Sequence, residues 1–318
     1  MNKNLPKRIF TVAITLFLTS AFTAFAEKFE QREEHTFALP GAGKLVIDVS
    51  DVDIRIHGEK GLENAQVVVT KTTKKGSEEE AQKAFDVNII ECTQEGDLVK
   101  IKSVLPNRSF SVISFGDNAR NVSIDIEVQF PEDAEVMVKT SDGDIALETI
   151  SGQCDLNTSD GDVFATGTQG SLSAKSSDGD VVVKNVKGNV EMKTSDGDLS
   201  ISDVEGDIDL KTSDGDISIS GLKGSLQAKT SDGNIAASMD ESPLSNCSLS
   251  TSDGNIRLTL ANEVSVDLDI RVSDGDINIK HPSANISKLT KHSVSGRINQ
   301  GGVMIRMVTS DGDITVGN

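Results

Sequence analysis

A short phrase, Thr-Ser-Asp-Gly-Asp-Ile, recurs with small changes from residue 140 to the end of this chain. The tripeptide Ser-Asp-Gly is intact nine times, and its glycines are Gly143, Gly161, Gly179, Gly197, Gly215, Gly233, Gly254, Gly275 and Gly312. The first six are evenly spaced, and the next two intervals are slightly longer. A degenerate copy, Ser-Val-Ser-Gly-Arg-Ile, surrounds Gly296. A fixed period of about 18 residues indicates stacked repeats, in which each unit buries its apolar face only against its neighbours.

Apolar residues form columns at fixed distances from each Ser-Asp-Gly glycine, which we number as position 0. In the repeat of Gly215, positions −7, −5, +2 and +4 are Ile208, Leu210, Ile217 and Ile219. Apolar positions two residues apart are typical of a strand with one buried face. A second set of glycines lies midway between the first: Gly152, Gly170, Gly188, Gly206 and Gly224. Each repeat is therefore predicted to contain two short strands and two turns.

These matched columns favour a parallel β-solenoid over a meander of antiparallel hairpins. In a solenoid, each coil of about 18 residues lies on the previous one in parallel register, about 4.8 Å away. Ten or so coils would give a rod about 50 Å long. Aromatic residues make up only 3% of the chain, with no Trp and no Tyr, which suits a narrow core of small and branched side chains. We expect an all-β, single-domain parallel β-solenoid with two strands in each coil.

Three segments are predicted along the chain. Residues 1–26 have the form of a signal peptide, with a positive start, an apolar stretch over 9–22 and a small-x-small cleavage site ending at Ala26. Residues 27–134 are predicted to form a less regular N-terminal part with one short helix, and residues 135–318 the regular solenoid. We expect an exported protein, located in the periplasm, on the cell surface or outside the cell, that does not span a membrane after cleavage.

The N-terminal part combines one worn coil with isolated strand patterns. Residues 45–56 reproduce the repeat, with Val52 in the glycine position. Ser77 and Glu80 form a capping box at the start of a helix predicted over 77–85. Strands are predicted over 66–71, 86–92, 98–104 and 122–130, with a lead-in over 27–42 and an irregular loop over 105–121. The chain ends on a strand pattern at 313–316, so the last coil is expected to expose a strand edge.

The strand over 122–130, ended by Pro131 and followed by strands punctuated by Thr-Ser-Asp-Gly-Asp-Ile, resembles a known family. This is the bacterial "putative adhesin" β-strand-repeat family, a domain of unknown function. The resemblance covers nearly all of the chain after residue 26. It implies an exported all-β repeat protein, and it carries over no catalytic residues.

Two columns of acidic side chains flank the Ser-Asp-Gly glycines. Position −1 is occupied by Asp142, Asp160, Asp178, Asp196, Asp214, Asp232, Asp253, Asp274 and Asp311. Position +1 is occupied by Asp144, Asp162, Asp180, Asp198 and Asp216, after which Asn234 and Asn255 interrupt the carboxylates. The first interpretation is turn chemistry, with Asp accepting backbone N–H bonds and Gly supplying a positive φ.

Calcium is the alternative, since hard cations between the coils would relieve the repulsion of stacked carboxylates. The calcium candidates are Asp142, Asp144, Asp160, Asp162, Asp178, Asp180, Asp196, Asp198, Asp214 and Asp216. However, the chain lacks the Gly-Gly-x-Gly-x-Asp loop of calcium β-rolls, so we predict no committed metal site and no cofactor.

Three cysteines remain after the signal segment: Cys92, Cys154 and Cys247. Cys154 and Cys247 both fall at position −7, five coils apart, so about 20 Å or more separates them, which is beyond disulfide reach. We predict that these two are buried as small apolar residues and that all three are free thiols.

No catalytic arrangement is recognisable, because the four histidines are scattered and no nucleophile motif stands out. We predict a non-catalytic envelope or surface protein, an adhesin or binding scaffold whose partner is unknown. The alternatives are a calcium-stabilised β-roll-like protein and a polysaccharide-acting β-helix enzyme. Loss of three cations with residues 1–26 changes the formal charge from −19 to −22 (28 cations against 50 acids), which disfavours nucleic acid and anionic lipid. An elongated monomer is expected, with end-to-end stacking as the alternative.

Overall fold

The computed structural model describes residues 28–39, 41–74, 77–104, 122–243 and 245–318. The predicted signal peptide and the predicted loop over 105–121 lie outside the described residues. The described chain is almost entirely β-structure, with one short helix and two long sheets of 13 and 14 strands. The predicted fold class, a parallel β-solenoid with a less regular helix-containing cap, is confirmed.

The strands and the helix follow in chain order. The N-terminal elements are β1 (Phe29–Ala38), β2 (Lys44–Asp48), β3 (Val52–Glu59), β4 (Asn64–Thr73), α1 (Glu78–Val87), β5 (Ile89–Glu95), β6 (Leu98–Val104) and β7 (Ser123–Pro131). The regular coils are β8 (Glu135–Lys139), β9 (Ile145–Glu148), β10 (Cys154–Asn157), β11 (Val163–Thr166), β12 (Leu172–Lys175), β13 (Val181–Lys187), β14 (Val190–Lys193), β15 (Leu199–Glu205), β16 (Ile208–Lys211), β17 (Ile217–Lys223), β18 (Leu226–Lys229), β19 (Ile235–Met239), β20 (Cys247–Ser250) and β21 (Ile256–Leu260). The C-terminal elements are β22 (Val266–Val272), β23 (Ile277–Ile279), β24 (Ala284–Leu289), β25 (Ser293–Ile298), β26 (Val303–Thr309) and β27 (Ile314–Gly317).

Each regular coil contributes one strand to each sheet, in the parallel register that the columns predict. We call the sheet with the odd-numbered strands β9 to β21 sheet A, and the sheet with the even-numbered strands β8 to β20 sheet B. In sheet B, Cys154 pairs with Val136 on one side and Leu172 on the other, each one repeat away in the sequence. The columns at −7, −5, +2 and +4 are buried along this part of the rod and form one continuous core between the sheets.

The two ends of the rod do not follow chain order. The coil made of β2 and β3 lies between β6–β7 and β8–β9. At the other end, the last coil, made of β26 and β27, lies between β20–β21 and β22–β23. The expectation that the last coil exposes a strand edge is therefore wrong, because β27 is paired on both sides. In the described chain, the sheet edges are β1 and β23 in sheet A, and β5 and β24 in sheet B.

The degenerate copy around Gly296 is not a coil. It forms β25, which runs antiparallel to β22 and to β24 as part of a hairpin. The copy carries Arg297 at position +1, where the true coils have an aspartate or asparagine. It therefore lacks the side-chain acceptor that links each coil to the next at that corner.

The N-terminal part differs from expectation in two places. The lead-in contains β1, a ten-residue strand antiparallel to β4. Its half-buried face carries Gln31, Glu33 and His35, so it lacks the apolar alternation that identifies a strand in a sequence. The helix has the predicted capping box at Ser77 and extends to Val87, so the strand expected over 86–92 begins only at Ile89.

Five successive regular coils also have a third corner that the sequence analysis missed. Position +6 takes a left-handed backbone conformation in five successive coils, at Thr149, Gly167, Asn185, Asp203 and Gly221, with φ between 54° and 69°. Asn, Asp and Gly tolerate this conformation best, and four of the five positions carry one of them. The bend aims the next residue, such as Val186 or Val204, back into the core.

Candidate functional site

The corner at the Ser-Asp-Gly tripeptide is joined to the preceding coil through a buried hydroxyl at position −3. The Oγ1 of Thr212 donates towards the carbonyl oxygens of Ser195, at 3.0 Å, and Gly197, at 3.2 Å, both in the preceding coil. The same oxygen accepts the N–H of Gly215 at 3.3 Å. The arrangement repeats at Thr158, Ser176, Thr194, Thr230, Thr251 and Thr309.

The glycine at position 0 is required by close backbone packing. Among the nine intact tripeptides, only Gly275 has a positive φ, so the predicted positive-φ role of these glycines is wrong. A Cβ placed on Gly215 would lie 2.5 Å from the carbonyl carbon of Gly197 and closer still to its oxygen. The glycines stack directly on one another, and the worn coil follows the same rule, since Gly143 lies against the backbone of Val52.

The aspartates at position +1 form a continuous hydrogen-bonded ladder. The backbone N–H of each +1 residue donates to the side-chain Oδ1 of the +1 residue in the preceding coil, as in Asp180 to Asp162 at 2.8 Å. Nine such bonds of 2.7–3.1 Å run in space through Asp53, Asp144, Asp162, Asp180, Asp198, Asp216, Asn234, Asn255, Asp313 and Asp276. The two asparagines thus continue the ladder instead of interrupting it, and Asn234 adds a bond from its Nδ2 to Asp216 at 3.1 Å.

The aspartates at position −1 are exposed and take no part in that ladder. At the first junction, Asp142 lies beside Asp51 of the worn coil, and the hydrogen bond and charge of Asp51 raise the pKa of the Asp142 carboxyl. The backbone N–H groups of the −1 aspartates do join the coils: that of Asp160, for example, donates to the carbonyl oxygen of Ser141 at 3.0 Å. In the described residues, no group of three or more His, Cys, Asp or Glu side chains converges to hold a metal ion. Calcium between the coils stays a prediction for the ten candidate aspartates.

The outer face of sheet B carries a long groove of about 770 Å³ with polar side chains along both walls. One wall is position −8, with Gln153, Ser171, Asn189, Asp207, Ser225 and Asn246. The other wall is position −6, with Ser173, Glu191, Asp209, Gln227, Ser248 and Arg306. The groove crosses the coils along the rod, and its lining contains hydroxyl, amide and carboxylate groups but no aromatic ring.

Hydrogen bonds and ion pairs, some of them between coils, hold the walls of this groove in place. Asp207 accepts the backbone N–H of Ser225 at 3.3 Å and its hydroxyl at 2.6 Å, and these bonds lower the pKa of the Asp207 carboxyl. On the opposite wall, Lys211 binds Asp209 at 2.6 Å, and Lys175 lies 3.7 Å from Glu191. Lys175 and Lys211, both at position −4, therefore partly neutralise the acids at position −6.

The cap interior holds a buried ion pair that the sequence analysis did not identify. Lys71 Nζ lies 3.0 Å from Glu33 Oε1, and the two side chains are only 6% and 15% exposed. Gln31 also donates to Glu33 at 3.2 Å, and burial lowers the pKa of nearby His35. The clue in the sequence is that Lys71 continues the inward alternation of Val67 and Val69. The pair joins β1 to β4 inside the cap.

The three cysteines are free thiols in the structure. Cys154 and Cys247 lie in the buried −7 column, on β10 and β20, as predicted. Burial raises the pKa of Cys154 to about 12 and that of Cys247 to about 11. Burial, with Glu33 and Glu91 nearby, raises the pKa of Cys92 to about 12. All three thiols are therefore protonated and unreactive near neutral pH.

Comparison with known proteins identifies the family. The chain matches the family described as Toastrack DUF4097 over residues 42–317. It belongs to that family. The resemblance to a β-repeat domain of unknown function is thereby confirmed. No curated protein matches it in sequence.

Several solved structures match the Toastrack chain with low sequence identity. A "putative adhesin" from Bacteroides fragilis is 10% identical, with a TM-score of 0.38, and the match covers 91% of this chain and 97% of that one. A "putative lipid binding protein" from Parabacteroides distasonis is 12% identical, with a TM-score of 0.43 and coverage of 90% and 96%. A "putative cell adhesion protein" from Clostridium sporogenes is 9% identical, with a TM-score of 0.23 and coverage of 91% and 99%. No helix of the described chain is long and apolar enough to cross a membrane.

Proposed function

We propose that this Toastrack protein is a non-catalytic, exported scaffold of the cell envelope that binds an extended polar ligand along the groove of sheet B. The observation that carries the proposal is the groove itself, which runs across successive coils instead of forming a closed pocket. A ligand lying in it would meet the same two side-chain columns in every coil that it crosses. This geometry fits a repeating chain better than a compact small molecule.

The groove chemistry indicates a ligand rich in hydrogen-bond donors. Its walls carry carboxylates at Glu191, Asp207 and Asp209, and the only cation in the lining is Arg306 at one end. Carboxylates accept hydrogen bonds, and Ser, Asn and Gln side chains both donate and accept. A hydroxylated or amide-containing polymer of the envelope meets these requirements without aromatic stacking.

Groove-filling variants test the proposal. We expect the chain from residue 27 onward to co-sediment with isolated cell-envelope fragments, and Gln227→Trp to lose that retention because the indole fills the groove. Ser218→Trp is the matched control, since Ser218 is exposed on β17 in the opposite sheet. Equal retention of all three proteins would reject the groove as the binding site. Release of shortened saccharides from the fragments would favour the enzyme alternative.

A further inference from the structure

The β24–β25 hairpin at the C-terminal end of the rod is basic, although the chain as a whole is strongly acidic. Residues 277–310 contain no Asp or Glu, and their cations are Lys280, Lys288, Lys291, Arg297 and Arg306. Four of these cations lie within or beside the β24–β25 hairpin, and all are exposed. The negative net charge of the whole chain therefore does not describe residues 277–310.

The N-terminal end has the opposite charge. The segment from α1 through β5, residues 78–95, contains six carboxylates and one lysine, Lys83. Asp86 and Glu91 are both exposed and flank Ile89, the first residue of β5. β5 and β24 are the two edges of sheet B. One edge therefore carries an excess of acids, although Glu91 pairs with Lys102 of β6 at 3.1 Å, and the other edge is basic.

Exposed apolar side chains mark the same two edges. Five large apolar side chains are exposed in the described part of the chain, and three of them lie on these strands: Ile89 on β5 at 39%, with Ile286 at 37% and Leu289 at 74% on β24. Within the described residues, each edge strand pairs with one neighbour, β5 with β6 and β24 with β25. Such an edge is a template for pairing with a further strand.

Protection of a free edge explains only part of this pattern. Lysines on edge strands prevent unwanted pairing, and Lys288 could act in this way. A protected edge is polar, however, whereas β24 exposes Ile286 and Leu289 beside its cations. The acid-free stretch over 277–310 also extends well beyond both ends of β24.

We infer that the β24 edge binds the β5 edge of a second copy of this chain, so that rods associate head to tail and sheet B continues from one molecule into the next. The two edge strands have similar lengths, seven residues in β5 and six in β24. Charge complementarity sets the orientation, and the exposed aliphatic side chains become buried at the junction. The contact is heterologous, so each rod keeps one free end of each kind and the assembly grows with concentration.

Charge reversal at each end tests this inference on the chain from residue 27 onward. At about 0.01 M salt, the average mass in analytical ultracentrifugation should rise with concentration to twice that of one chain or more, and at about 1 M salt it should return to one chain. Lys288→Glu/Lys291→Glu and Asp86→Lys/Glu91→Lys should each remain monomeric, because each has like charges at both ends. An equimolar mixture of the two variants should recover the growth in mass, which a variant that failed to fold could not do.

Two further variants separate the contact from general charge effects. Leu289→Ser should weaken association at unchanged charge, whereas Lys193→Glu/Lys211→Glu, a reversal on the middle of sheet B, should leave association intact. Four results would overturn the inference: a monomer at every concentration and salt, association that survives both end reversals, a mixture that does not regain mass, or a loss in the mid-sheet control equal to that at the ends. Binding of phosphatidylglycerol vesicles through Lys288 and Lys291 without self-association would identify the basic end as a membrane-facing surface instead.

Discussion

The substitution Gly215→Ala distinguishes two reasons why a turn can require glycine: a positive φ, and close packing against another backbone segment. At this position φ is not in the left-handed region, so the backbone conformation itself accepts alanine. The obstacle is the preceding coil, because the added Cβ would overlap the backbone carbonyl of Gly197. Relief requires the two coils to move apart by about 1.5 Å at this corner, since an ordinary carbon–oxygen contact is about 3.5 Å.

That movement would break the hydrogen bonds that hold the corner. Four bonds join this corner to the coil before it, and their donors are the hydroxyl of Thr212 and the N–H groups of Ser213, Asp214 and Asp216. They measure 2.7–3.2 Å, so a further separation of about 1.5 Å removes all four. At about 1 kcal/mol for each bond, the expected cost is on the order of 4 kcal/mol.

Gly61→Ala is the matched control. Gly61 has φ 72°, and no atom lies within 4 Å of a Cβ built on it, so only the backbone conformation opposes the substitution. It should cost about 1 kcal/mol, and Gly61→Asn less, because asparagine tolerates positive φ. At position 215, asparagine should be as damaging as alanine. Urea denaturation followed by circular dichroism measures all four variants, and a smaller loss at Gly215→Ala than at Gly61→Ala would refute the stacking argument.

Three other predictions follow from the same contacts. Thr212→Val should destabilise the fold by about 1–3 kcal/mol in urea denaturation, because it leaves the buried N–H of Gly215 without its acceptor. Thr212→Ser should cost little, since Ser176 makes the same bonds two coils away. Thr149→Asn should raise stability by about 0.5–1 kcal/mol in the same assay, because a β-branched residue at φ 59° is strained and Asn185 occupies the equivalent corner. The melting temperature in excess chelator should lie within about 10 °C of that in millimolar calcium, because a backbone N–H of the next coil already donates to one oxygen of the +1 carboxylates. A larger shift would favour calcium between the coils.

The sequence period was sufficient to predict which side chains form the core. Ile208 and Leu210 are buried and Asp209 faces outward, as their positions in the repeat require. This succeeds because strand alternation and coil stacking both act through fixed spacings that a single sequence displays. The capping box at Ser77 was predictable for the same reason, since its hydrogen bonds join residues three apart in the chain.

The physical reason for the residue type at each corner was harder to predict. Glycine is compatible with both a positive φ and a close backbone approach, and the sequence does not distinguish the two at Gly215. The left-handed corner at position +6 was readable in principle from Asn185, Asp203 and Gly221, but Thr149 breaks the pattern at its first member. The groove was not predictable at all, because its shape depends on how two outward columns are spaced on the surface of sheet B.

The order of the coils could not be read from the columns, because columns show that a coil stacks but not on which neighbour. This order has a consequence for truncation. Ending the chain after Gly302 removes β26 and β27, which lie between β20–β21 and β22–β23, and so leaves β22–β25 without their link to the rod. Ending it after Ala261 also removes the segment 262–302 but leaves a continuous stack of coils. Limited proteolysis should therefore trim the longer protein back towards the shorter one, while both keep the same protected core. Protection of residues 262–302 in the longer protein would show that β22–β25 dock without the last coil, and would contradict the role of β26 and β27 as their link to the rod.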